Sequence, residues 1–463
     1  MRRLVILGGS DAGISAALRA RELDENAAVT VIVEDAFPNY SICGLPFYLS
    51  GEVRDYHQLA HRTREELARA GIQLLLDHTA RAIDPLEHRV TLEDRAAHCS
   101  QISYDLLILA TGAQPKRPPI AGLDLRGVFL LRTMQDSFQM QQYLSTRSAR
   151  SAVIVGGGYI GLEMADALTR RGLSVTLVEH GSSVLKTVER GLGGLVQTEL
   201  ERQGVVVHTG VEVQRIETEQ DRLCVRGSGG AEACADIVLV AVGVEPRTAL
   251  ARAAGAELGI QGAIRVNRMM ETSLPDILAA GDCVETWHHL LKQPTYLPLD
   301  TTAHKQGRIA GERAIGRSAR FAGTLGTQVV KVFDLVVART GLRENEANAA
   351  GFAPLSVEGT YWDHTVHYPG AQRVQMHLVG DPATGRLLGA QMVGPVQAAV
   401  AKRVDILATA LYHEMTVEAL SDLDLSYTPP LGSPWDFAQL CAQDWSTVAR
   451  KGQAHISGKE DAP

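Results

Sequence analysis

The sequence predicts an α/β protein with two parallel-sheet dinucleotide-binding units and a separate C-terminal α+β domain. Two segments, residues 3–34 and 151–179, repeat one plan of apolar strand, glycine-rich turn, helix, second apolar strand and terminal acid. Further apolar runs stop at Gly, Pro or Gly-Asp, and from about Gly323 the pattern changes to alternation. The repeats and runs imply parallel sheets built from crossover units, and the alternation implies an antiparallel sheet.

The first repeat is "RLVILGGSDAGISAALRARELDENAAVTVIVE", ending at Glu34, and the second is "SAVIVGGGYIGLEMADALTRRGLSVTLVE", ending at Glu179. In such Rossmann-like units the glycines let backbone approach a pyrophosphate. The helix N-terminus adds amide donors, and the acid, roughly 20 residues on, bonds a ribose. The second unit carries the full fingerprint at Gly156, Gly158 and Gly161, with Glu163 just inside the helix. The first keeps Gly8 and Gly13 but has Ser10 between them, followed by Asp11, whose carboxylate would repel a pyrophosphate unless it turns away or caps the helix.

"YDLLILATGAQP" at 104–115 and "ADIVLVAVGVEP" at 235–246 read as buried strands where the chain passes between domains. "LPDILAAGDCVE" at 274–285 is a further strand whose terminal acid, Asp282, stands where a ligand hydroxyl is met. Beyond Gly323, "TQVVKVFDLVVARTG", "QRVQMHLVG" and "GRLLGAQMVG" alternate, and "AVAKRVDILATALYHEM" has helical periodicity. After Arg450 the chain is polar and is expected to be a disordered tail.

With 463 residues, 45% hydrophobic and 21% charged, the chain is long enough for two or three globular domains. Its net charge of -8 argues against a nucleic-acid partner, because phosphate binding needs clustered Lys and Arg. The apolar runs are shorter than the roughly 20 residues of a membrane span, so the expected setting is the cytoplasm without membrane attachment. The six cysteines, Cys43, Cys99, Cys224, Cys234, Cys283 and Cys441, have no close pairing, which argues against a zinc site or a vicinal disulfide and leaves the metal list empty. Cys43 differs in its setting, "NYSICGLPFYL", a segment rich in Gly, Pro and aromatics. The other five read as ordinary packed or surface thiols, with Cys224 and Cys234 on a hairpin and Cys99 in a polar loop.

These motifs, together with "LILATGA", "HKQGRIAGE", "KVFDLVVARTGL", "LSDLDLSYTPP" and "SPWD", resemble the pyridine nucleotide-disulfide oxidoreductases. Within that family they are similar to the single-cysteine branch of coenzyme A disulfide reductases, CoA-persulfide reductases, NADH oxidases and NADH peroxidases. The resemblance runs from the first strand to about Leu440. It implies an FAD domain at residues 1–114 and 245–322, interrupted by an NAD(P)H domain at 115–244. A dimerisation domain at 323–449 follows, then a polar tail at 450–463; in a homodimer that domain completes the partner's site. By the same resemblance Gly8, Gly13 and Glu34 would hold the FAD adenosine diphosphate, Thr111 and Gly112 would contact FAD, and Asp282 would bond its ribityl chain. Gly156, Gly158, Gly161 and Glu179 would hold the nicotinamide dinucleotide. Glu179, with no arginine following, favours NADH over NADPH, while Lys186 leaves NADPH open.

The resemblance also assigns chemistry. Cys43 would be the nucleophile that attacks an external disulfide or persulfide and relays electrons from the flavin, one cysteine sufficing because the substrate brings the other sulfur. Tyr427 in "DLSYTPPLG" resembles the hydroxyl donor for the leaving thiol, acting across the dimer, and Tyr368 in "VHYPGA" its companion. Arg19, Arg21 and Arg62 fall where this branch places basic residues for CoA phosphates, although Glu22 replaces an arginine often found there. The expected activity is reduction of a small disulfide or persulfide, CoA-linked or not. The alternatives are an NADH oxidase or peroxidase cycling through a Cys43 sulfenate, and a non-catalytic redox-sensing flavoprotein.

Overall fold

The computed structural model describes residues 2–460, with side chains through Lys451. The chain forms two compact units: Met1–Ala149 with Leu239–His288 and Lys292–Thr324, and Arg150–Val238 with His289–Leu291 and Leu325–Pro463.

In the first unit, β1 (Arg3–Leu7), β2 (Ala28–Val33), β3 (Ile72–Leu76) and β4 (Leu106–Leu109) join the strand Ile277–Ala279 in one sheet. Its order is Ile277–Ala279, β4, β1, β2, β3, and every pairing is parallel. Leu4 to Leu7 and Leu107 to Leu109 are all buried, as a sheet covered on both faces requires. Helix α1 (Asp11–Leu23) follows β1, and the short helix α2 (Leu45–Ser50) follows Cys43. The helix Met134–Thr146 also belongs here: Tyr48 donates to Gln141 at 2.6 Å, and Phe138 packs edge-on against Phe37, Tyr48 and Tyr56. These contacts place residues up to Ala149 in this compact unit.

The second unit opens with parallel β5 (Ser151–Val155) and β6 (Ser174–Glu179) around helix α3 (Tyr159–Arg170), then β7 (Val206–Thr209) beside β6. A small antiparallel sheet contains β8 (Val213–Glu219), β9 (Arg222–Gly227) and β10 (Glu232–Ala235). The C-terminal part is a five-stranded antiparallel sheet made from β11 (Gln328–Val332), β12 (Leu335–Gly341), β13 (Leu355–Trp362), β14 (Arg373–Gly380) and β15 (Leu387–Pro395), in the order β11-β12-β15-β14-β13. Helices α4 (Val400–Tyr412) and α5 (Phe437–Glu460) cover it, with Met376, Leu378, Met392, Leu407, Phe437 and Trp445 in the shared core. The nucleotide-type sheet and the C-terminal sheet lie within one compact unit. Asp166 of α3 accepts from the Phe333 amide at 2.8 Å, and Gln391 of β15 from the Glu189 amide at 2.6 Å.

Three expectations are corrected. Cys224 and Cys234, read as ordinary thiols, are joined in a disulfide, because the β9/β10 register sets them directly opposite one another. Cys99 stands on the strand Cys99–Ser103 and not in a loop. Helix α5 continues to Glu460, through most of the segment expected to be disordered, since extending an existing helix needs no new nucleus; the rest of that segment lies outside the described residues. No described helix is long and apolar enough to cross a membrane.

Candidate active site

Where β1 ends, the backbone turns with Gly8 at φ +119, a conformation that a side chain rarely adopts. A Cβ on Gly13 would lie 1.9 Å from the Gly8 carbonyl oxygen, so this turn presses α1 against the loop as closely as backbone allows. The amides that open α1 therefore face the space where a pyrophosphate would be held. Asp11, the first residue of α1, stands 3.1 Å from Ser10 Oγ and 3.6 Å from His304 Nε2. Burial, then the nearby Asp300 carboxylate, push its carboxyl up to about 6.

Glu34 follows β2, with Arg247 as its counter-ion at 2.7 Å; that hydrogen bond holds the Glu34 carboxyl below its ordinary range. Thr111 Oγ1 donates to the Arg247 carbonyl at 2.7 Å, and the Arg247 amide to the Gly112 carbonyl at 3.0 Å. Asp282, beyond the strand Ile277–Ala279, accepts from Arg132 at 2.9 Å, while Gln306 accepts from the adjoining Gly281 amide at 2.9 Å. Thus Gly8, Gly13, Glu34, Thr111, Gly112 and Asp282 all line the carboxyl ends of one parallel sheet, where such folds bind dinucleotides. The tight cradle and the two outlying acids fit a dinucleotide such as FAD.

Cys43 lies in a single helical turn, Ile42–Gly44, leading into α2, and is exposed. Pro46 sits in the first turn of α2, a place where its missing N–H is no loss. Tyr40 stacks on Tyr56, and Phe37 meets Tyr40 and Phe138 edge-on, so a cluster of aromatic rings anchors the polypeptide on both sides of the thiol. Cys283 and Cys441 are buried, and burial pushes both thiols up, Cys441 to about 12. A thiol held protonated and out of solvent is a poor nucleophile.

The second cradle repeats the first. A Cβ on Gly161 would lie 1.9 Å from the Gly156 carbonyl, whereas Gly158 faces open space. Glu179 at the end of β6 is only 7% exposed and accepts from the Gly157 amide at 2.7 Å, the Gly181 amide at 2.5 Å and Lys186 at 2.9 Å. Burial pushes its carboxyl upward, but the two amides and the lysine outweigh burial and hold it below its ordinary range. Glu163 is the reverse case: burial, then the charge of Asp166, push it up to about 7 against the pull of Lys331.

Tyr368 and Tyr427 are 42% and 47% exposed. Thr365 ties their loops together, its amide donating to the Gly432 carbonyl at 3.1 Å and its hydroxyl to the Pro429 carbonyl at 2.9 Å. Beneath them Arg403 of α4, 9% exposed, donates to Asp436 at 2.8 Å and to the carbonyls of Asp363 at 2.9 Å and Leu431 at 3.3 Å. Of the basic residues assigned to substrate, only Arg62 is exposed. Arg19 is held by Glu22 at 2.8 Å and Glu312 at 2.7 Å. Arg21 caps the backbone, bonding the carbonyls of Ala70 at 3.0 Å and Ala27 at 2.9 Å.

The pyridine nucleotide-disulphide oxidoreductase pattern matches residues 2–307, and that of the corresponding dimerisation domain residues 327–437. The chain belongs to this family. The oxidoreductase is therefore an FAD-dependent enzyme using NAD(P)H. It is 34% identical over 439 residues to the CoA-dependent NAD(P)H sulfur oxidoreductase of Pyrococcus abyssi, covering 94% of this chain and 96% of that protein. With the NADH oxidase of Methanocaldococcus jannaschii it shares 31% identity over 444 residues, 96% of this chain and 98% of that one. The solved NAD-dependent persulfide reductase from A. fulgidus superposes with a TM-score of 0.93 at 34% identity, covering 97% of this chain and 84% of that one.

Sequence reasoning missed the supporting residues of this oxidoreductase: Arg247 on Glu34, Arg132 on Asp282, Gln306 under Gly281, and Arg403 under the tyrosine loops. Gln306 and His304 stood inside the quoted "HKQGRIAGE", and Arg403 was the one arginine on an otherwise apolar helix face.

Proposed function

We propose that this oxidoreductase uses NADH to reduce a low-molecular-weight disulfide or persulfide, with Cys43 as its single redox nucleophile. The observation that carries this reading is the exposed Cys43, anchored between aromatic rings in the unit that holds the FAD cradle. The Cys43 thiolate attacks one substrate sulfur, the substrate's S–S bond breaks, and the second sulfur leaves as a thiolate that must gain a proton. Tyr427, with Tyr368 as companion, is assigned to supply that hydrogen bond across a homodimer, a reading supported by the match to the family's dimerisation domain. When bound, FAD would supply two electrons from NADH; with one proton these would cleave the mixed disulfide, restoring the Cys43 thiolate and releasing the second substrate sulfur as a thiol.

Gly156, Gly158, Gly161 and Glu179 are assigned to the nicotinamide dinucleotide. The buried, ionised Glu179 favours NADH, because a 2′-phosphate would meet its charge. The CoA-dependent relative supports CoA as the carrier of the substrate sulfur. Arg62 is then the best placed contact for its phosphates, while Arg19 and Arg21 would first have to leave their present partners. A reducing cytoplasm is the setting assigned to such chemistry.

The relative named as an NADH oxidase supports a second reading, in which oxygen or peroxide oxidises Cys43 to a sulfenate. Anaerobic NADH oxidation with CoA disulfide, CoA persulfide, glutathione disulfide and polysulfide, beside Cys43→Ser, separates the two. Fast turnover with one sulfur substrate, abolished in the variant, is expected. If every sulfur substrate is inert and NADH is consumed only once oxygen or peroxide is admitted, the reductase reading fails and the oxidase replaces it.

A further inference from the structure

We propose that Cys224 and Cys234 form a second thiol–disulfide couple, independent of Cys43, that low-molecular-weight disulfides oxidise. The inference does not rest on the substrate assigned above. Cys224 of β9 and Cys234 of β10 are direct partners in the antiparallel register and carry the disulfide found among the described residues. Directly opposed strand residues have Cβ atoms about 4.5–5.5 Å apart even without a bond between them. The ladder on either side, Leu223 with Ala235 and Val225 with Ala233, can therefore hold the pair in both states.

Access differs between the two sulfurs and assigns their roles. Cys224 is 2% exposed, whereas Cys234 is only partly covered. An external disulfide thus meets Cys234 first. The Glu232 carboxylate stands 3.4 Å from the Cys234 sulfur, where it can accept the thiol hydrogen in the reduced state. The Cys234 thiolate attacks one sulfur of RSSR, that S–S bond breaks, and RS⁻ leaves and takes up a proton. Cys224, having released its own proton, attacks the Cys234 sulfur and expels the second RS⁻. The pair loses two electrons and two protons, and RSSR becomes two RSH.

The couple sits at the foot of a nucleotide-site strand. Asp236, two residues beyond Cys234, accepts from the Arg150 and Ser151 amides at 2.7 and 2.9 Å. Arg222 bonds both the Cys234 carbonyl, at 2.5 Å, and Ser151 Oγ, at 3.4 Å. Ser151 begins β5, whose far end leads into Gly156, so the disulfide clips the small sheet where it is fastened to that strand.

The test is a redox titration of the FAD-loaded, full-length protein without NADH, in buffers of rising oxidised-to-reduced glutathione ratio, followed by acid quench, alkylation, trypsin and mass spectrometry. Trypsin cuts after Arg226, so the oxidised pair appears as two cross-linked peptides and the reduced pair as two singly alkylated ones. One reversible transition is expected, unchanged in Cys43→Ser. In Cys224→Ala the same oxidised buffer should leave glutathione on Cys234. Three results would overturn the proposal: both thiols alkylated at every ratio, a cross-link that native reduction never opens, or a transition that disappears in Cys43→Ser. The titration of the unmodified chain decides the first two without any variant.

Discussion

Arg403 donates from Nε to the Asp436 carboxylate at 2.8 Å from the middle of a helix face that is otherwise Val400, Val404, Leu407 and Leu411. One guanidinium also bonds carbonyls at Asp363 and Leu431, and these residues stand close in sequence to Tyr368 and Tyr427. It is thereby a positioning residue for both tyrosine loops.

Arg403→Met strands a largely buried carboxylate and three carbonyls, those of Ala398, Asp363 and Leu431, a change that costs about 3–5 kcal/mol where a charge loses its ion-pair partner. The expected kinetic result is selective: flavin reduction by NADH in stopped flow keeps its rate, while turnover with the disulfide falls about tenfold or more. Arg403→Lys should recover part of the stability but less of the turnover, because an ammonium cannot span the four acceptors the guanidinium reaches. Equal slowing of both half-reactions would mean that Arg403 supports the whole unit and not the loops.

Two glycine positions in the cradles, Gly13 and Gly158, predict opposite responses to one added methyl group. In Gly13→Ala the new Cβ would lie 1.9 Å from the Gly8 carbonyl, so the turn must open, and the purified protein is expected to retain less than about a tenth of its flavin absorbance. In Gly158→Ala the methyl meets no atom within 4 Å, so stability should change by less than about 0.5 kcal/mol. Flavin content stays full in that variant while KM for NADH rises. A flavin-replete Gly13→Ala protein would remove the first cradle from the FAD site.

These glycines were legible in the sequence because a turn against a helix is a local problem, solved at fixed spacing within one strand–helix unit. The turn that carries Cys43 was legible for a related reason, since its Gly, Pro and aromatic neighbours are local. The partners were not. Arg247 meets Glu34 across 213 residues of sequence and Arg132 meets Asp282 across 150, and no pattern near either acid announces its arginine. Arg21 misled in the opposite sense: assigned to CoA phosphates, it stands on the same helix face as the buried Ile14 and Ala17, and the chain at Ala27 and Ala70 draws its guanidinium onto backbone carbonyls. The Cys224–Cys234 pair depended on strand register, which ten residues of separation alone do not fix.

Glu179 predicts coenzyme preference. Lys186 now spends its charge on this carboxylate at 2.9 Å. Replacing Glu179 with Ala removes the charge a 2′-phosphate would meet and frees the lysine to receive it. The ratio of kcat/KM for NADPH to that for NADH should rise about tenfold, which corresponds to about 1.4 kcal/mol of relieved repulsion. The variant should lose NADH affinity as well, because the Gly157 and Gly181 amides lose their acceptor. An unchanged ratio would mean that specificity is set elsewhere on the second unit.

Glu163 predicts the pH dependence of stability. Burial and the neighbouring Asp166 raise its carboxyl from 4.5 in the unfolded chain to about 7 in the fold. Between these values the native state keeps a proton that the unfolded state has released, so stability from this group is fully present below about pH 4.5 and declines as pH rises. Above about pH 7 both states are ionised and the loss stops growing. Glu163→Gln cannot ionise. Its thermal midpoint relative to the parent protein should therefore climb through that window and level off above it, with Asp11 and the other carboxyls cancelling from the difference. A parent and variant that run parallel from pH 4.5 to 7 would show that Lys331, whose ammonium stands 3.4 Å from Asp166, neutralises the site and leaves Glu163 charged throughout.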